Sequence, residues 1–129
     1  MTENEITYKA IGAIYNVYNA LGPGLLEGVY EKVLLYELQK QGLQARAQVT
    51  IPITYDGKSF GSDLRADIII EDKVILELKS VIELRDVHFK QLQTYLKLTD
   101  KKVGLLVNFD TSNIRAGIHR VVNGIEDNH

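Results

Sequence analysis

Residues 67–79 read Asp-Ile-Ile-Ile-Glu-Asp-Lys-Val-Ile-Leu-Glu-Leu-Lys, and this stretch constrains the fold more than any other. Two short apolar runs flank three charged residues, the pattern of a β-hairpin between well-buried strands. Alternation along a strand puts Glu77 and Lys79 on one face with Ile75, and Leu76 and Leu78 on the other. Burying an unpaired charge costs several kcal/mol or moves its pKa, so such an arrangement calls for a compensating partner. In the direct hairpin register Asp67 begins its strand beside the point where Glu77 and Lys79 end theirs. Two carboxylates and an ammonium would then meet at one end of a sheet. Oxygen-only ligands of this kind suit Mg²⁺ or Mn²⁺, and Mg²⁺ keeps several waters, so one or two carboxylates suffice. The plainer alternative makes Glu77 and Lys79 an intrastrand pair on a solvated face, with Asp67 a strand-end residue.

A chain of 129 residues that is 45% hydrophobic and 25% charged has the length of one domain, 1–129, with a core that needs no disulfide. The absence of cysteine excludes thiol catalysis, zinc-thiolate sites and Fe–S clusters, and fits a reducing compartment. No stretch approaches the ~20 apolar residues that span a bilayer, and the polar, acidic start is unlike a signal peptide. The expectation is a cytoplasmic protein without membrane contact. A net charge of −2 argues against tight, sequence-independent binding of duplex nucleic acid. It leaves a nuclease open, because a bound cation offsets the carboxylates that hold it. His88, His119 and His129 have no zinc-ligand spacing, and no serine stands in a nucleophile elbow.

Apolar residues recur at helical spacing over 5–20, and Gly22-Pro23-Gly24 stops that helix. A second helix is predicted over 26–41, burying Leu26, Val29, Val33, Leu34 and Leu38 and placing Glu27, Tyr30 and Glu31 on one face. Acids in the first turn of a helix are also favoured by its dipole alone. A first strand is predicted over 45–55, with Pro52 marking an edge or a bulge and Asp56-Gly57 a tight turn. The strands through Asp67 and over 74–79 complete an antiparallel meander. A third helix is predicted over 86–99 with Asp86 as its N-cap; Phe89, Leu92 and Leu96 form a buried stripe, and His88, Gln91 and Tyr95 a polar, uncharged one. Strands over 103–109 and 118–122 follow, and the tail at 126–129 is expected to fray.

Helix, meander with Asp on one strand and Glu-x-Lys on the next, then helix and strand, resembles the core of the PD-(D/E)XK nuclease superfamily. Gly24-Leu25-Leu26-Glu27-Gly28-Val29-Tyr30 is similar to the GxxExxY signature of a small family within it. Arg65-Ala66-Asp67, Glu77-Leu78-Lys79, Gln91 with Tyr95, and residues 104–109 follow in that family's order. The resemblance implies an α/β, restriction-endonuclease-like fold: a central mixed sheet with an antiparallel meander, flanked by helices in the order ααβββαββ. It further implies metal ligation by Asp67, Glu77 and the Leu78 carbonyl, with Glu27 binding directly or through water. Lys79 would meet the attacking water or the phosphate, as base or as electrostatic stabiliser, and Gln91 would orient ligands or substrate. Tyr30 and Tyr95 fall to packing.

The function implied is hydrolysis of phosphodiester bonds in DNA or RNA by a Mg²⁺- or Mn²⁺-dependent nuclease. The alternative is a non-catalytic module that binds nucleic acid or protein and keeps the nuclease fold, as a homodimer through the first helix or the final strand.

Overall fold

A computed structural model describes residues 1–124, so the tail expected to fray lies outside the described residues. Helix α1 spans Glu3–Leu21, two residues longer at its start than the apolar spacing predicts. The extension comes from a capping box: the Thr2 hydroxyl accepts the Glu5 N–H at 3.2 Å, and the Glu5 carboxylate accepts the Thr2 N–H at 2.8 Å. Helix α2 spans Glu27–Lys40 and buries Tyr30, Leu34 and Leu38. Leu26, expected in the core, is instead its N-cap and 80% exposed, and Val29 is exposed too. The inward stripe runs through residues four apart from Tyr30, which leaves Leu26 and Val29 in the first turn outside the core.

The predicted strand over 45–55 divides in two. Strand β1 is Ala45–Ile51; after Pro52 a separate two-stranded hairpin forms from β2, Thr54–Tyr55, and β3, Lys58–Ser59. Proline, without an N–H to give the ladder, is where the chain leaves the main sheet. Strands β4, Leu64–Ile70, and β5, Val74–Lys79, follow; then come helix α3, Asp86–Thr99, and strand β6, Val103–Asn108. Arg85, not Asp86, is the N-cap of α3, and its N–H donates to His88 Nδ1 at 3.0 Å. A one-turn helix α4, Ile114–Gly117, not foreseen, leads into β7, Ile118–Val122.

The five-stranded sheet has the order β1-β4-β5-β6-β7, with β5 and β6 parallel and the other pairs antiparallel. Pro52 thus follows an edge strand, as expected, and β7 forms the opposite edge. Helices α1 and α2 cover one face, packing on Ile68, Ile70, Leu76, Leu78 and Val107. Helix α3 covers the other, placing Leu92, Tyr95 and Leu96 against Ile69, Ile75 and Leu106. Burial on both faces explains the unbroken apolar runs of β4, β5 and β6. Gly104 lets α3 approach: a Cβ there would sit 2.9 Å from Leu92 Cδ1 and 3.0 Å from the Ile75 carbonyl. Among the described residues no helix is long and apolar enough to cross a membrane.

Candidate functional site

The β4–β5 ladder pairs Ile70 with Val74, Ile69 with Ile75 and Ile68 with Leu76, and ends there. Beyond it the carboxylates take over: Glu77 Oε2 accepts the Asp67 N–H at 2.8 Å, and Asp67 Oδ2 accepts the Leu78 N–H at 2.8 Å. On the other side of β4 the pairing passes from Ala47↔Ile68 to Val49↔Ala66, skipping Gln48, whose φ is 52°. Asp67 therefore stands at a break in the sheet on both sides. A left-handed non-glycine residue costs of order 1 kcal/mol and signals a local demand that overrides it.

Glu77 is 3% exposed, the only buried acidic or basic side chain among the described residues. Burial pushes its carboxyl up to about 8, the Asp67 carboxylate adds to the rise, and the Asp67 N–H and Lys79 oppose it. Asp67, half-buried, is raised for the same first reason, against the Leu78 N–H; the charges of Glu31 and Glu27 raise it further, while Lys79 lowers it. Two neighbouring acids that both resist ionisation would ionise more readily beside a cation. The donors are hard oxygens without sulfur or imidazole, and that set fits Mg²⁺ or Mn²⁺.

Lys79 is half-buried at the end of β5, and its carbonyl accepts the Phe109 N–H at 2.9 Å. Opposite it in the parallel ladder stands Asn108, a residue the sequence reading passed over. Its amide closes on the segment after Lys79: Oδ1 accepts the Val81 N–H at 3.1 Å and Nδ2 donates to the Val81 carbonyl at 2.9 Å. From α3, which packs on the face that Glu77 and Lys79 share with Ile75, Gln91 donates to the Tyr95 hydroxyl at 3.0 Å. Burial and the Glu77 charge raise the pKa of Tyr95, which locates this polar stripe of α3 near the carboxylates.

Glu27 is the first residue of α2 and is exposed. The turn before it is tied down. Tyr30 donates its hydroxyl to the Gly22 carbonyl at 2.6 Å and accepts the Leu25 N–H at 3.1 Å, while Ser80 donates to the Leu25 carbonyl at 2.5 Å. The Tyr30 ring stacks on Phe109 at 4.2 Å. One turn along α2, Glu31 accepts from Gln48 Nε2 at 2.6 Å, so the left-handed residue of β1 aims its amide at an acid beside the pair.

The structure thus brings together Asp67, Glu77, Leu78 and Lys79. It does not gather the three acids into one cluster: among the described residues no three acidic, histidine or cysteine side chains lie close enough to hold an ion together. Glu27, exposed at the first position of α2, stays outside the pair. Glu31 stands beside the pair on the helix face that its spacing with Glu27 predicts, whereas Asn108, Gln48 and Ser80 were not singled out; of these Asn108 alone left a trace in the sequence, as the polar end of an otherwise apolar strand.

A mixed sheet covered by helices on both faces, opened where an Asp faces a Glu-x-Lys strand, defines the restriction-endonuclease-like class of proteins. Residues 4–121 match the family model described as the PD-(D/E)XK nuclease superfamily, and the chain belongs to that superfamily. The crystal structure of SSO0001 is similar, with a TM-score of 0.58 and 27% sequence identity, covering 97% of this chain and 61% of that one. The chain therefore spans less than two thirds of that protein's length. No curated protein matches the chain significantly.

Proposed function

We propose that this protein is a nuclease of the GxxExxY kind, dependent on Mg²⁺ or Mn²⁺, that hydrolyses phosphodiester bonds in DNA or RNA. The observation that carries the reading is the pair of half-buried Asp67 and buried Glu77, set where the sheet ladder breaks and adjoined by Lys79. Asp67, Glu77 and the Leu78 carbonyl would hold the ion, with Glu27 reaching it through water from the start of α2. When bound, the ion supplies positive charge against the phosphate and lowers the pKa of a coordinated water.

Lys79 adds a cationic donor beside the reacting phosphate, and Gln91 orients substrate from α3. In the reaction, water oxygen bonds to phosphorus, one bridging P–O bond breaks, and the leaving oxygen takes a proton. The test is incubation with branched, single-stranded and duplex DNA and with RNA, in Mg²⁺ or Mn²⁺. No cleavage of any of them, with no metal binding by calorimetry, would remove the reading.

A second reading, a binding module that keeps the fold without turnover, draws on the separation of Glu27 from the pair and on the net charge of −2. Glu77→Ala discriminates: a nuclease loses cleavage, whereas a binding module keeps its partner.

A further inference from the structure

The β2–β3 hairpin is the part of the molecule that the carboxylate site does not use. Tyr55 lies directly opposite Lys58, so the two share a face. The Phe60 N–H donates to the Ile53 carbonyl at 2.8 Å, which extends the pairing by one step and, by alternation, puts Phe60 on that same face. Thr54 and Ser59 occupy the other face. Tyr55 is 74% and Phe60 57% exposed, so the hydroxyl face and the aromatic face have both been left without a core. A soluble protein rarely presents aromatic rings this way without use.

Position gives the hairpin its meaning. It grows from the ends of β1 and β4 where Ile51 pairs with Leu64, three residues before Asp67, at the end of the sheet where the carboxylates lie. Arg65, exposed, stands between the two on β4. Neither Lys58 nor Arg65 is engaged in an ion pair among the described residues, whereas Arg46, Lys40 and Lys101 are. Asp56 sits in the turn and Asp63 after the hairpin, outside the paired positions. Two rings with cations beside them make a surface for a base and its phosphate. Few cations are available for a duplex, whose binding scales with phosphates neutralised. Stacking is insensitive to sequence but needs a base already out of its own stack, which a single strand supplies.

We propose that the β2–β3 hairpin, with Tyr55 and Phe60 flanking Lys58, is a stacking platform that feeds unpaired nucleotides to the carboxylate site, making single-stranded nucleic acid the substrate class. This rests on the nuclease reading. The test measures binding on a Glu77→Gln background in Mg²⁺, which removes the buried charge and cleavage together. Fluorescence anisotropy compares labelled oligothymidine and oligouridine with a duplex of equal length, for that protein and for the same protein carrying Tyr55→Ala and Phe60→Ala. The expected result is preference for the single strands, and a loss of about 10- to 100-fold on them, with little change on duplex, when the rings are removed. Tyr55→Phe with Phe60 intact restores binding, and circular dichroism melting is unchanged because both rings are exposed.

Equal affinity for duplex, or single-strand binding unmoved by ring removal, overturns the platform and leaves the nuclease reading intact. Light scattering that shows a dimer turned monomer by ring removal makes the hairpin a self-association surface and also overturns it. Absence of all nucleic-acid binding overturns it as well, and metal calorimetry with the cleavage assay then decides the nuclease reading separately.

Discussion

Asp67 and Glu77 each use a carboxylate oxygen to take a backbone N–H at the strand crossing: Glu77 holds the Asp67 N–H and Asp67 holds that of Leu78, both at 2.8 Å. Each acid is thus fixed by an ordinary ladder donor that has lost its ladder acceptor. The remaining oxygens carry like charge in a low-dielectric place. This geometry fixes both carboxylates, and it costs folding stability whenever both acids ionise.

The first prediction concerns pH. The folded-state pKa of Glu77, about 8, lies above its ordinary 4.5, so its protonation stabilises the fold. That contribution is complete below about 4.5 and is lost as pH rises through about 8. Asp67 shifts in the same direction. Without divalent cations, the wild type is expected to lose on the order of a few kcal/mol between about pH 5 and about pH 9. Glu77→Gln keeps an oxygen for the Asp67 N–H and removes the charge, so its stability profile should be flatter and at about pH 9 higher than wild type by ~1–3 kcal/mol. Urea melts across pH check both; parallel profiles for the two proteins would contradict the assignment.

The second prediction inverts the first by adding the ion. A ligand that binds only the folded state stabilises by mass action, about 2.7 kcal/mol at a hundred times its dissociation constant. Mg²⁺ or Mn²⁺ should therefore raise the melting temperature most at alkaline pH, where both acids are ionised and the cation-free fold is weakest. Chelator should reverse the gain. Asp67→Asn should lose most of it, read as melting temperature and as calorimetric heat, independent of any turnover.

Much of this was legible in the sequence, and the reasons are local. Strand β5 and the final strand β7 fall on the predicted residues, β5 because its apolar run starts after the charged turn at 71–73 and β7 because β-branched residues dominate it. The pair Asp67–Glu77 follows from hairpin register alone, since the charged turn at 71–73 fixes which residues face each other. The hairpin after Pro52 was merged into its neighbour because Thr54 and Tyr55 continue the β-branched and aromatic character of β1. Asn108 needed the parallel register of β5 and β6, and Glu31 with Gln48 needed the packing of α2 over β1; neither is encoded in spacing along one segment. Glu27 opens a helix, as the spacing implies, but does not join Asp67 and Glu77 in one cluster, and the separation of a helix start from a strand end is not written in either segment.

The third prediction concerns Gly104. A methyl group there meets Leu92 at 2.9 Å and the Ile75 carbonyl at 3.0 Å, and a backbone oxygen in mid-sheet cannot yield. Gly104→Ala should lift α3 away from β6 and cost ~1–3 kcal/mol in chemical denaturation. The same helix carries Gln91 and Tyr95, so cleavage should fall further than a stability loss of that size explains under conditions where the variant is folded.

The last prediction separates the two jobs of Tyr30. Its ring, stacked on Phe109 at 4.2 Å, belongs to the core under α2. Its hydroxyl bridges the turn between α1 and α2, donating to Gly22 at 2.6 Å and accepting from Leu25 at 3.1 Å. Tyr30→Phe keeps the stack and removes the bridge. A partly buried carbonyl and N–H then lose their shared partner, which costs ~1 kcal/mol. Because that turn delivers Glu27, the variant should bind Mn²⁺ more weakly than wild type by a few-fold while retaining the pH profile set by Asp67 and Glu77. Calorimetry at matched folded fraction reads the first, and denaturation against pH the second. Unchanged Mn²⁺ affinity would mean that Glu27 takes no part in holding the ion, leaving Asp67 and Glu77 to do so alone.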